Sequence, residues 1–178
     1  MLVVDKEIIE LEKVVIGAVM LEPNNCHFPI EKLRPEHFYE QNHKIIWSHV
    51  LKLEKENKTI DIISVTQSIN KSKQMPEIEG GAYYISTLAD RVASTELVEK
   101  HSLILIEDFM RRTLWIMSNK LTGSTVKSGN DPFKLIEGIE NDLNALLQGS
   151  ESKPINQLKV AINAFNEKTE AILKHGKK

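Results

Sequence analysis

The sequence holds one cysteine, Cys26, among its 178 residues. A single thiol cannot close an internal disulfide, so the fold must rest on its core, and this usage fits a reducing compartment. Cys26 could be a nucleophile, but no base is recognisably placed for it, and a passive thiol is the simpler reading. Glycine and proline are scarce, at 8 and 6 residues, which excludes long low-complexity linkers. No apolar run approaches the roughly 20 residues of a membrane span. The opening MLVVDKE lacks the apolar region of a secretion signal, so a cytoplasmic location is expected. The formal net charge is only −2, so the surface as a whole is not expected to hold nucleic acid.

Catalytic signatures are missing too. No G-x-x-x-x-G-K-[ST] phosphate-binding loop occurs; GSTVKSGN, near residue 125, has its glycines and lysine in the wrong order and no strand before it. His37, His43 and His49 recur every six residues, not at the i, i+4 spacing of a helical metal pair, and are expected to be solvated or half-buried. Arg111-Arg112 could grip phosphate, but an ion pair with a nearby carboxylate is the better expectation. LEKENK reads as a solvated helix face. The residues supply no catalytic set, no cofactor site and no metal site.

What the chain does contain is helical pattern. With 41% apolar and 27% charged residues, it has the composition of a soluble globular protein. A domain of this size buries about 70% of its unfolded surface. Charge is uneven: from Ser150 onward six Lys and three Glu sum to +3, leaving −5 on the preceding residues. Asp5 caps a first helix through about Leu21, apolar over much of its circumference, with Gly17 marking a close helix–helix approach. Arg34 before Pro35 is pushed to extended geometry. Ile46, Val50 and Leu53 form one helical stripe; Asn57 is a left-handed stop; Asp61 caps the next helix, with Ile60 and Val65 placed as a hydrophobic staple. KSKQMPEIEGG reads as a loop, followed by a short helix that turns Tyr84, Ile85, Leu88 and Ala89 inward. Ser94 or Thr95 caps a long helix from about Glu96 to Leu121, with Glu107 and Arg111 spaced for a favourable i, i+4 pair. Gly123 to Asn130 reads as a turn, after which Asp131-Pro132 restarts a helix that runs to Gly149. These two helices predict an αα-hairpin. Pro154 opens a last helix to about Lys174, with Ile155, Leu158, Ile162, Phe165, Thr169 and Ile172 on a narrow seam. No period-two pattern competes, so the fold class is all-α.

The order Leu33-x-Pro35-x-x-Phe38-Tyr39, then His43 and Ile46, then Ile60-Asp61-x-x-x-Val65-Thr66, resembles the N-terminal domain of DnaB-type replicative DNA helicases. Gly80, Gly81, Tyr84, Ile85 and Leu88 extend the match, as does the aliphatic-Gly-Ala centre of the first helix. Two positions depart from the pattern: Trp47 where Phe is frequent, and His101 where Tyr is common.

The resemblance implies a compact helical subdomain over residues 1–95, a helical hairpin over 96–149 and an amphipathic linker helix over 150–178, leading to a motor domain that this chain lacks. It implies a non-catalytic collar domain of a hexameric helicase. The expected partners are other copies of the chain, paired as dimers within the ring, and primase, with a helicase loader as a further candidate; DNA would be met only through the full-length protein. ATP and magnesium would belong to the motor. The alternative is the helicase-binding C-terminal domain of a primase, and a third reading is a small DNA- or metal-binding helical protein. The residues expected at subunit or partner interfaces are Leu103, Leu114, Trp115, Phe133 and Ile136 on the hairpin, and Leu158, Ile162, Phe165 and Ile172 on the linker helix.

Overall fold

The computed structural model describes residues 5–92, 94–125 and 131–149. They form seven α-helices: α1 (Lys6–Leu21), α2 (His27–Lys32), α3 (Gln41–Lys55), α4 (Ile62–Lys71), α5 (Gly81–Ala89), α6 (Val98–Thr125) and α7 (Pro132–Gly149). No strand occurs among the described residues. The chain divides into two compact units, Met1–Lys120 and Leu121–Lys178. The seam residues Leu158, Ile162, Phe165 and Ile172 lie outside the described residues.

The helix ends follow the local chemistry. Asp5 accepts from the Glu7 N–H, and Asp61 accepts from the Ser64 N–H at 2.7 Å. Both carboxylates satisfy amide donors that a helix start leaves unpaired. Ile60 and Val65, the staple pair, are both buried. Asn57 has φ 51, and its successor Lys58 donates to the Leu53 carbonyl at 2.9 Å. This is a Schellman closure built on asparagine in place of glycine. Lys73, with φ 59, ends α4 in the same way, and Gln74 donates to the Ile69 carbonyl at 3.2 Å. Asp131 accepts from the Phe133 N–H at 3.0 Å and starts α7.

In the first unit α3 runs through the middle, packed on α1, α2 and α4, while α5 lies against α1 and α4. Trp47 is fully buried, 5.1 Å from the Phe38 ring, with its indole N–H donating to the Leu33 carbonyl at 3.3 Å. Ile46, Val50 and Leu53 join it in the core. Gly17 sits where α1 crosses α5: a Cβ there would lie 2.8 Å from both the Leu88 carbonyl carbon and Val92 Cγ2. The approach that glycine permits is therefore real, and it explains a residue otherwise unfavourable in a helix interior.

Several expectations fail in detail. Leu21 is 47% exposed, because the α1 stripe closes at Met20. The helix α2 has no counterpart in the sequence reading; Pro29 stands within its first turn, where a missing N–H is harmless. The polar stretch before Gly80 is the expected loop, with one 3-10 turn, Met75–Glu77, and only its burial of Ile78 was not foreseen. Gly123 lies inside α6, not at a turn. The i, i+4 ion pair of α6 falls one residue later than expected, between Asp108 and Arg112 at 2.6 Å.

Candidate interaction surface

The helix α6 joins the core of the first unit through Val98, Leu105 and Ile106, which recur at helical spacing. Leu105 is fully buried, while Leu103, expected at an interface, is half-buried. His101 keeps a buried Nδ1 without a hydrogen-bond partner, and burial, then the neighbouring Lys100 charge, pushes its imidazole below the usual histidine range. The departure at this position is thus felt in the packing.

Further along α6, Arg112 fixes the helix to the corner before α3. Its guanidinium donates to Asp108 at 2.6 Å and to the His37 carbonyl at 2.8 Å. It also lies 5.7 Å above the Tyr39 ring and 5.8 Å from the Phe109 ring. A planar cation with several donors suits this combination of a carbonyl, a carboxylate and two aromatic faces. The Phe109 ring packs 4.9 Å from the His37 ring. His37 Nδ1 accepts from the Arg34 N–H at 3.1 Å, so the ring is held neutral. Burial, with the Arg34 and Arg112 charges adding to it, lowers its pKa to about 4.

Beyond this anchor the apolar side chains open to solvent. Leu114, Trp115 and Ile116 are 45%, 43% and 59% exposed, three large side chains in succession. On α7, Phe133 and Ile136 are 81% and 59% exposed, and Leu143 lies near them in the helical period. The covered side of α7 is marked by Leu146, not by the stripe from Phe133 to Leu143. Such concentrations of exposed apolar surface mark interaction sites on otherwise polar helices.

A second feature lies wholly inside the first unit. The Glu12 carboxylate, fully buried, accepts from the backbone N–H groups of Tyr39 and Glu40 and from His43 Nδ1 at 2.5 Å. His43 Nε2 meets the Tyr84 hydroxyl at 2.6 Å, with the two rings stacked. Burial, then the nearby Glu40, Glu12 and Glu10 carboxylates, pushes the Tyr84 hydroxyl up to about 12. The relay ties α1, the corner before α3, α3 itself and α5 into one hydrogen-bonded unit. Glu12 carried no sequence signal beyond being a charge within an apolar helix.

The three evenly spaced histidines are all buried, contrary to the solvated or half-buried expectation. Each has found protein partners: His49 bonds Ser68 Oγ at 2.8 Å and Gln74 Oε1 at 3.0 Å. Among the described residues, no group of three or more His, Cys, Asp or Glu is arranged to hold a metal ion. Cys26 is buried, and its thiol is raised to about 11 by desolvation and by Glu22. Among the described residues, no helix is long and apolar enough to cross a membrane.

The family described as DnaB-like helicase N-terminal domain matches residues 4–107. The chain belongs to that family. The replicative DNA helicase DnaB of Rhodothermus marinus is 30% identical over 174 residues, which cover 98% of this chain and 18% of that protein. The DnaB of Geobacillus stearothermophilus is 37% identical over 106 residues, 60% of this chain and 23% of that protein. The chain therefore spans about a fifth of the length of these relatives. The crystal structure of the N-terminal domain of DnaB helicase from Mycobacterium tuberculosis is similar at a TM-score of 0.69 and 22% identity, covering 77% of this chain and 96% of that one. A DnaB-like replicative helicase, described together with its interactions with primase, is similar at a TM-score of 0.60 and 22% identity, covering 86% of this chain and 34% of that one. At that identity these two establish the fold. The matched family is the helicase domain and not a primase domain, which removes the primase alternative. The DnaB-like match contains the Glu12–His43–Tyr84 relay and His37 and stops at residue 107, before the exposed residues of α6 and α7.

Proposed function

We propose that this chain is the non-catalytic collar domain of a hexameric replicative DNA helicase. In this reading it pairs with other copies of itself and recruits primase during DNA replication, while ATP and magnesium serve a motor domain beyond these residues. The observation that carries the reading is the exposed apolar surface: Leu114, Trp115 and Ile116 on α6, and Phe133 and Ile136 on α7. Burying a side chain of this size is worth about 1.5–3 kcal/mol. Several together favour association strongly enough to offset part of the rotational and translational entropy lost on binding. The family membership supports the reading, as does likeness to a helicase described with its primase interactions. Leu103 is a weaker candidate for the interface, being half-buried already. Leu158, Ile162, Phe165 and Ile172 remain the proposed docking edge of the linker helix.

Titration of the chain with primase, followed by calorimetry, tests the recruitment half of the proposal. Saturable binding is expected. A Trp115→Asp, Phe133→Asp double variant should lose self-association while keeping its melting temperature, because both residues are exposed. Absence of primase binding at high micromolar concentration would overturn recruitment.

A further inference from the structure

The chain turns at Asn57 after α3 and returns as α4, leaving a cleft of about 470 Å3 between them. Three lysines line it: Lys52 near the end of α3, Lys58 on the turn and Lys71 at the end of α4. The one carboxylate in the lining is Glu56, whose Oε2 lies 2.6 Å from Lys58 Nζ. Among the described residues, Lys52 and Lys71 take part in no ion pair. The hydrogen bond from Lys58, then the charges of Lys58, Lys52 and Lys71, hold the Glu56 carboxyl below its usual range. The three ammonium groups therefore act on one small volume. The lining carries three positive charges against one negative, within residues 1–149 that sum to −5. Thr59 and Gln67 also line the cleft.

Lysines near helix C-termini also complement the carbonyl ends. That accounts for Lys52 and Lys71 one at a time, but not for Lys58 or for the meeting of all three at a cleft. We propose that this cleft binds the phosphate groups of a small polyphosphate. Lysine acts as a compact point charge suited to phosphate, whereas planar carboxylates favour the arginine fork, and no arginine lines the cleft. No aromatic side chain lines it either. Without a stacking platform a single-stranded nucleic acid is poorly held, so the ligand is read by its phosphates and not by a base.

The test is calorimetric titration of the full 178-residue chain with pyrophosphate, ATP and a single-stranded oligonucleotide, with amide shifts followed by NMR. Pyrophosphate should bind saturably and shift Lys52, Thr59, Gln67 and Lys71. Lys52→Gln and Lys71→Gln should each weaken binding about tenfold, the scale of a lost charged hydrogen bond. Glu56→Gln should tighten it by removing the repelling carboxylate, a gain that a merely structural role would not give. Lys100→Gln, on a lysine outside the cleft, should change nothing. ATP should bind as pyrophosphate does. The proposal is overturned if pyrophosphate does not saturate, or if Lys100→Gln weakens binding as much as Lys71→Gln. It is equally overturned if ATP binds tenfold more tightly than pyrophosphate, since a base would then be read, or if the oligonucleotide binds more tightly than either.

Discussion

His43 Nδ1 lies 2.5 Å from Glu12 Oε2, joining α3 to α1 across 31 residues at a point where neither side chain touches solvent. A buried carboxylate is tolerated only when its lone pairs are filled. Here two backbone amides and an imidazole fill them, so Glu12 organises the corner at Tyr39 and Glu40 as well as the helix pair.

Removing that carboxylate should therefore be severe. Glu12→Ala strands the His43 ring nitrogen and two amides, and breaking a buried pair costs about 3–5 kcal/mol. Tyr84→Phe takes one hydroxyl from the far end of the relay and should cost nearer 1 kcal/mol. Chemical denaturation of both variants checks the order; equal losses would contradict it.

Gly17→Ala sets two effects against each other. Alanine is the better helix former by about 1 kcal/mol. Its methyl, however, would press on the Leu88 carbonyl of α5 and on Val92 just beyond it, and overpacking a fixed contact costs about 1–3 kcal/mol or more. The account predicts a net loss of thermal stability, and a raised melting temperature would contradict it.

How much was legible beforehand followed from whether the signal was local. The caps at Asp5, Asp61 and Asp131, the left-handed stop at Asn57 and the Ile46–Leu53 stripe are written in neighbouring residues, and all stand where expected. Gly17 was legible as a close approach because nothing else explains it. The Glu12–His43–Tyr84 relay was not, because its members are separated by 31 and 41 residues and each looks ordinary in its own helix. The histidine periodicity misled for the same reason: three histidines six residues apart find different distant partners. Pro29 hid α2, since proline normally argues against a helix except in its first turn. Phe133 and Ile136 were expected at an interface, and both are exposed on α7, where Leu146 is the buried apolar residue.

Acid should weaken the fold through His37. Its pKa drops from an unfolded value near 6.5 to about 4 in the fold. Between these values the unfolded chain holds more protons, so stability is full above about pH 6.5 and falls as the pH is lowered toward 4. A shift of this size corresponds to at most about 3 kcal/mol. Denaturation midpoints measured across this window should fall more steeply for the wild type than for His37→Gln. Parallel profiles would contradict the assignment.

Cys26 should be inert while the chain is folded. Its thiol is buried and raised to about 11, and the thiolate is the reactive form. A thiol-specific reagent at pH 8 should label the native chain far more slowly than the denatured chain, and rapid native labelling would contradict the placement.

The central claim, that the open faces of α6 and α7 exist to meet other copies, is tested most directly by the mass of the intact chain in solution. Sedimentation should be followed from low to high micromolar concentration. The account predicts a mass that rises with concentration to at least the dimer, and that Trp115→Asp with Phe133→Asp holds at the monomer. A strictly monomeric mass for the unsubstituted chain throughout that range would contradict it.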